Sequence, residues 1–374
     1  MKNQINTVLE AVCRQGLAEG VCSAVAAGVS IGGQRGSARA RCAIGHTRSD
    51  GSGQAVTEET LFDLASLTKP LCTVLLTLAL IGQGRLRLED TLARVFPGPL
   101  PAEKKSLRLW QLLNHSSGML PYRPYFREME RESGQRSKAQ LLERVIDEPL
   151  AYPPGSESRY SDLGFILLGH VLEHCTGQSL PVSFRALITG RLGLTRDLFF
   201  LPLDQSLPVE RQCIAATEDC PWRGRVLQGE VHDEHAWLMG GVAGHAGLFG
   251  TLHGVLSLCE WLLDLWQGRV EHPHLPTPLI RTALTRRLAN ATWALGLDTP
   301  TVGASSSGSL FPARSVGHLG FTGTSFWIDP EGQVVVVLLT NRVHPGRENM
   351  RIRSFRPQFH DRVMRFLSGG VGED

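Results

Sequence analysis

The sequence predicts an α+β protein in which an antiparallel sheet is flanked by helices and carries an inserted, mainly helical region. Strand-like segments lie early in the chain, at residues 21–33 and 38–47. A hairpin is predicted near its end, where Asp329–Pro330–Glu331–Gly332 supplies the turn. Between them the pattern is mostly helical. We therefore expect a sheet domain from residues 1–70 and 231–374, and a mainly helical domain from 71–230.

The elements follow in order from periodicity and from helix-breaking residues. Residues 3–17 have the spacing of an amphipathic helix that ends near Gly16. Pro70 has no N–H and is tolerated only in a first helical turn, so a helix is expected to begin near Ser66 and to end at Gly82 or Gly84. Further helices are expected at residues 107–115, 138–147, 161–177 and 355–368.

Composition limits the classes of partner. The 374 residues include 38 Lys and Arg against 36 Asp and Glu, so no strong basic field is available for nucleic acid or anionic lipid. The longest apolar run, Leu71–Ile81, is shorter than a membrane span, and the first twenty residues hold no apolar signal-peptide core. The eight cysteines form no C-x-x-C pair and are expected to be free thiols. These features favour a cytoplasmic protein.

The stretch LFDLASLTKP, residues 61–70, places Ser66 three residues before Lys69. Residues at this spacing share a helix face, so the hydroxyl and the amine would lie side by side. A serine nucleophile needs a base, and lysine can serve if burial and a helix dipole lower its pKa. The pattern alone is common, however, and a helix-capping serine beside a solvated lysine is the alternative.

Two further stretches bear on this choice. Tyr160, Ser161 and Asp162 follow a Pro-Pro-Gly turn and begin a helix, where a tyrosine beside a lysine can carry a proton. They could instead be a half-buried aromatic residue and an acid that favours the helix dipole. GHLGFTGTS, residues 317–325, could let substrate lie along a strand edge and aim a backbone N–H at an oxyanion. It could also be a glycine-rich strand that packs on a helix.

Together these stretches resemble the serine β-lactamase and penicillin-binding protein superfamily, in its class C β-lactamase, D,D-peptidase and family VIII esterase branch. The branch carries S-x-x-K, then Y-x-N or S-x-N, then K-T-G or H-T-G. The matching positions are Ser66–Lys69, Tyr160–Asp162 and His318–Gly320. The resemblance spans roughly residues 20–367 and includes LLNHSSGM. Reading Ser161–Leu163 as S-D-N would leave Tyr160 unexplained, so we prefer the tyrosine alignment.

The resemblance implies a serine hydrolase that acts on an ester or amide through an acyl-enzyme, without a cofactor. Ser66 would attack the carbonyl, with Lys69 or Tyr160 as the base. The backbone N–H groups of Ser66 and Phe321 would bind the oxyanion. Substrate contacts would come from Asp162, His318 and Gly320. A true β-lactamase, a D-alanyl-D-alanine carboxypeptidase, and a catalytically silent scaffold of the same fold remain as alternatives.

Two positions depart from the pattern. Asp162 replaces an amide, and an ionised carboxylate only accepts hydrogen bonds, so it could pair with Lys69 and keep the amine charged. Leu319 replaces a threonine whose hydroxyl would contact a substrate carboxylate. Weak or absent β-lactam hydrolysis is therefore expected, with a preference for esters or amides.

Residues 230–250 contain a cluster of possible metal ligands that includes His232, His235 and His245. The sequence H-D-E-H is not the zinc motif H-E-x-x-H, and adjacent residues rarely face one ion. The sequence therefore predicts no metal site, and these histidines are expected in a glycine-rich cleft wall as satisfied core or loop residues.

Overall fold

The computed structural model describes residues 2–33, 38–132, 136–288 and 291–369. The strands are β1 Ala24–Ile31, β2 Ala38–Gly45, β3 Phe62–Asp63, β4 Leu198–Phe200, β5 Asp219–Cys220, β6 Arg225–Val226, β7 Leu248–Gly250, β8 Val316–Leu319, β9 Ser325–Asp329 and β10 Val334–Thr340. The helices are α1 Lys2–Ala18, α2 Leu75–Gly82, α3 Leu92–Val95, α4 Ala102–Lys105, α5 Leu109–Leu113, α6 Tyr125–Glu132, α7 Lys138–Asp147, α8 Asp162–Thr176, α9 Leu180–Phe184, α10 Gly190–Leu192, α11 Glu234–Leu238, α12 Leu252–Gln267, α13 Thr277–Ala283 and α14 Ile352–Leu367.

A five-stranded antiparallel sheet joins the two ends of the chain in the order β2-β1-β10-β9-β8. Val25 of β1 lies opposite Thr340 of β10. The predicted α+β class is confirmed. The sequence predicted two strands near the C-terminus, whereas the structure has three, because the turn at residues 320–324 separates β8 from β9.

Alternating side chains give this sheet two buried faces. Val25, Ala27 and Val29 pack with α1 and α14, while Ala24 and Ala26 face the larger core that contains α12. Both faces are covered, so β10 is apolar along nearly its whole length rather than alternating. The sheet is therefore a rigid central layer.

The inserted region is less uniformly helical than the sequence predicted. Its β4 joins β3 and β7 from outside the region in a three-stranded sheet, and its β5 pairs with β6. These strands have two or three residues each, too short for a periodic pattern to identify. The small β3-β7-β4 sheet places the start of the Ser66 segment next to residues 248–250.

The helix that follows Ser66 differs from the prediction in its geometry. Residues Ala65–Leu67 form a 3₁₀ turn, Lys69–Val74 form a π-helical stretch, and α2 then runs to the predicted end at Gly82. Taken as one helical stretch, Ala65–Gly82 is long and apolar enough to cross a membrane, contrary to the shorter run read from the sequence. Because 83% of it is buried inside the fold, it is explained as a core helix.

Candidate active site

The segment that carries Ser66 is held between the sheet and the helical region. Thr322 Oγ1 donates to the carbonyl of Asp63 at 2.7 Å, and Thr324 Oγ1 donates to that of Leu64 at 3.1 Å. The buried carboxylate of Asp63 accepts from the N–H of Ala65 at 2.8 Å. Ala65 has a φ of 47°, a left-handed conformation that is strained for alanine. The surrounding hydrogen bonds fix this sharp turn, so that Ser66 lies just beyond the end of β3 and not within the strand.

Ser66 Oγ lies within hydrogen-bond distance of two proton-carrying groups. Lys69 Nζ is 3.0 Å away and the Tyr160 hydroxyl is 2.6 Å away. Lys69 Nζ also donates to the carbonyl of His245 at 3.1 Å. The Lys69 side chain is completely buried, and among the described residues its amine contacts Ser66, the His245 carbonyl and Asp162. The structure thus brings together the three residues that the sequence singled out for catalysis.

Asp162 lies directly against the lysine, with Oδ1 2.6 Å from Lys69 Nζ. Ser161 caps α8 by accepting from the N–H of Gly164, which leaves Asp162 as the first helical residue with its side chain at the cavity. The contact anticipated from the sequence is present. As expected, Asp162 raises the pKa of Lys69, although burial is the larger effect and lowers that pKa from its usual value overall.

The two candidate bases have pKa values shifted in opposite directions. Burial, reinforced by the negative charge of Asp162, raises the pKa of Tyr160 well above its usual value. Burial also lowers the pKa of Lys69, although Asp162 opposes that shift. The phenol therefore keeps its proton at neutral pH, whereas the amine is brought closer to losing one. This difference distinguishes the two groups that the sequence could not separate.

His115 positions the tyrosine segment and was not identified from the sequence, although it belongs to the stretch LLNHSSGM. Its Nδ1 accepts from the N–H of Ser161 at 3.1 Å, and its ring lies 4.8 Å from that of Tyr160. Its own backbone is left-handed, with a φ of 59°. The Trp293 ring packs 4.6 Å from His115 and 5.5 Å from Tyr160. These contacts fix the direction of the Tyr160 hydroxyl.

The edge of β8 forms the opposite wall of the site. His318 donates from Nδ1 to the carbonyl of Leu319 at 2.8 Å, and burial lowers its pKa to about 3, so the ring is neutral. A Cβ on Gly320 would lie 2.6 Å from the Leu64 carbonyl, so only glycine fits there. Among the described residues, the N–H groups of Ser66 and Phe321 donate to no backbone or side-chain acceptor.

A cavity of about 620 Å³ opens over Ser66. Its walls include Tyr160, Asp162 and His318, together with Arg353 and Arg356 from α14. The Arg356 guanidinium donates to the carbonyls of Gly320 and Thr324 and is buried, so its pKa falls to about 9. The arginines are distant in sequence from every motif, and sequence analysis did not identify them.

Comparison with known proteins agrees with this geometry. A model of the β-lactamase family matches residues 9–356. A protein of Escherichia coli (strain K12) named as a D-alanyl-D-alanine carboxypeptidase is 34% identical over 315 residues, which cover 77% of this chain and 70% of the relative. The residues that match the family model include the strands of the central sheet, the inserted region and the residues that line the cavity.

Solved structures share the fold at lower identity. EstCE1, described as a hydrolase with promiscuous acyltransferase activity, superposes with a TM-score of 0.74 at 22% identity, covering 97% of this chain and 99% of that one. The octameric penicillin-binding protein homologue from Pyrococcus abyssi gives a TM-score of 0.72 at 18% identity, covering 96% and 77%. With the family match over nearly the whole chain, these findings confirm that this chain belongs to the β-lactamase family and is a hydrolase of that family.

Proposed function

We propose that Ser66 is the nucleophile of an acyl-enzyme reaction on a small ester or amide, with Lys69 as the base and Tyr160 as the proton donor to the leaving group. The supporting observation is that Ser66 Oγ is shared by the Lys69 amine and the Tyr160 hydroxyl at the floor of an open cavity. Only a group that has lost its own proton can accept that of Ser66. The lowered pKa of Lys69 makes its amine the better acceptor.

The remaining steps follow from the same groups. The N–H groups of Ser66 and Phe321 would donate to the oxyanion that forms on the attacked carbonyl. The Tyr160 hydroxyl would protonate the leaving group and receive a proton from Lys69. Water then attacks the acyl-enzyme with the same base. His318 and Gly320 line the wall against which the acyl group lies.

The test compares Ser66→Ala with the wild type in two assays: covalent labelling by a fluorophosphonate and hydrolysis of p-nitrophenyl esters. We expect the wild type to react with a fluorophosphonate at Ser66 and to hydrolyse p-nitrophenyl esters, and the variant to lose at least about a thousandfold in kcat/KM. Ser354→Ala, on an exposed surface of α14, is the control and should retain full activity. Full activity in Ser66→Ala would assign the chemistry to another group. No labelling of the wild type would favour a silent scaffold.

A D-alanyl-D-alanine carboxypeptidase is the second candidate, since the curated relative carries that name and α14 offers cations to a substrate carboxylate. Arg353 is exposed at the cavity, and the part of the chain that the structure describes places no carboxylate within ion-pair distance of it. We expect release of D-alanine from an acylated D-alanyl-D-alanine peptide. The same peptide with a C-terminal amide in place of the carboxylate should react with a kcat/KM lower by about tenfold. Arg353→Gln should abolish that preference, whereas Arg365→Gln should keep it.

The cytoplasm is our proposed location. Its support is that all eight cysteines are unpaired thiols in this structure, as expected in a reducing compartment. Cell fractionation with an antibody against the full chain tests it, and recovery from a periplasmic fraction would contradict it.

A further inference from the structure

The histidine-rich segment contributes His232 and Asp233 to the cavity wall, as the sequence predicted, but two of its other histidines are not fully hydrogen-bonded as expected. His235 is completely buried, yet neither ring nitrogen has a hydrogen-bond partner. His245 is also buried, and its Nδ1 likewise has none. Buried polar atoms are nearly always paired, and each one that is not weakens the fold. Two such histidines in one place need an explanation.

The fold brings a third possible ligand to the same place. Asp233 caps α11 by accepting from the N–H of Ala236, and its Oδ1 is 2.8 Å from His245 Nε2. A donor atom from each of Asp233, His235 and His245 lies within 4.8 Å of the other two. Sequence reasoning expected the adjacent residues to diverge. The helix start instead turns Asp233 and His235 to one side, and the glycine-rich loop that follows returns His245 to them.

We propose that Asp233, His235 and His245 form a binding site for one zinc-like divalent cation beside the catalytic centre. Two imidazole nitrogens and one carboxylate oxygen are the donor set that zinc takes when three ligands come from the protein. Ligand atoms on one zinc ion are on the order of 3–4 Å apart, so the His235 ring must turn inward by about 1 Å. That turn breaks no hydrogen bond, because both of its nitrogens are unpartnered.

The surroundings favour a cation over a neutral packing role. The ring of Tyr122 lies 5.0 Å from that of His235, and Tyr125 lies 5.7 Å away, so aromatic faces exclude water from this side. Asp233 reaches the catalytic cavity, which leaves a route for an ion and for a water ligand. The carbonyl of His245 accepts from Lys69, so a bound ion would fix the loop that holds the lysine.

The experiment measures metal binding by the full chain after treatment with a chelator. We expect one Zn²⁺ per chain by calorimetry, and Co²⁺ should give visible absorption bands that Zn²⁺ displaces. His235→Phe keeps the ring packing but removes both nitrogens, and should weaken Zn²⁺ binding at least about tenfold. His360→Phe is the matched control, since His360 is also buried, packed on phenylalanines and unpartnered at Nδ1. It should bind as the wild type does.

A second variant covers the case in which His235→Phe does not fold. Asn caps helices as well as Asp does, so Asp233→Asn keeps α11 and should still lose Zn²⁺ affinity. Ser66→Ala must bind Zn²⁺ like the wild type, which separates this site from the proposed nucleophile. Absence of Zn²⁺ binding by the folded wild type, or unchanged binding in both His235→Phe and Asp233→Asn, would overturn the proposal.

Discussion

Replacing Asp162 by Asn should move the pH dependence of the reaction to lower pH. Rates should rise with pH as Lys69 loses its proton, because only the free amine can accept that of Ser66. In the wild type, the carboxylate 2.6 Å away stabilises the ammonium and holds the pKa of Lys69 higher than burial alone would. Asparagine has the same shape and no charge, so Lys69 should lose its proton at a lower pH in the variant.

The size of the shift can be bounded from this contact. At 2.6 Å, with an effective dielectric of about 20, the Coulomb attraction is about 6 kcal/mol, equivalent to between about 4 and 5 pKa units. The charge is spread over two carboxylate oxygens, and the amide can still accept from Lys69, so the net shift will be smaller. We expect the rising limb of kcat/KM to move down by at least about one unit.

The assay is kcat/KM for p-nitrophenyl butyrate from pH 4 to pH 10, since this parameter reports the ionisations of the free enzyme. Asp50→Asn makes the same charge change in an exposed loop, where Asp50 pairs with Arg48, and should leave the limb in place. If the rising limb of kcat/KM lies at the same pH in Asp162→Asn and in the wild type, that limb does not report the loss of a proton from Lys69 under the influence of Asp162.

The same substitution should also raise the rate on an anionic cephalosporin relative to a neutral ester, because it removes a negative charge beside Ser66; an unchanged ratio of the two kcat/KM values would show that this charge does not set selectivity. Tyr160→Phe should lower the rate on an ethyl ester at least about tenfold more than on a p-nitrophenyl ester, whose leaving group needs no proton; equal losses would remove the proposed proton donor. The free energy of unfolding should fall below pH 6.5, because burial lowers the pKa of His318 and of His360 to about 3. These rings stay neutral in the folded state and protonate when unfolded, so at pH 5 each accounts for about 2 kcal/mol of lost stability. Urea titrations of His360→Phe should show a loss of stability on going to pH 5 that is smaller than that of the wild type by about 2 kcal/mol. If the two proteins lose the same stability, protonation of His360 is not a cause of the loss.

Local pattern was sufficient for much of the architecture. Two strand-like segments separated by a glycine-rich turn predicted β1 and β2, and Pro70 with Gly82 bounded the central helix. The π-helical stretch was not predictable, because π-helical turns are rare and the uniformly apolar run after Lys69 has no spacing that would indicate one. The division of β8 from β9 was missed, because the glycines that end β8 also suit a continuous strand next to a helix.

The candidate site was predictable where its groups lie within a motif. Ser66, Lys69, Tyr160 and Asp162 could be proposed as neighbours from spacing and family resemblance, and the structure brings them together. His115 and Arg356 could not, since each acts through a contact made only after distant segments pack. The position of His235 was also not predictable, because its neighbours in sequence gave no reason to expect that both ring nitrogens would lack a hydrogen-bond partner.

The pairing of β1 with β10 has a consequence for how this protein is made. Residues more than 300 positions apart must pair before the central sheet is complete, so this contact is slow to form. During synthesis, β1 has no β10 to pair with until the end of the chain has been made. The wall opposite Ser66 belongs to β8, which leaves the ribosome after Ser66, Lys69 and Tyr160. A nascent or truncated chain that ends before residue 316 would lack Phe321, whose N–H is one of the two proposed donors to the oxyanion. If both donors act as proposed, hydrolysis is a property of the finished chain alone.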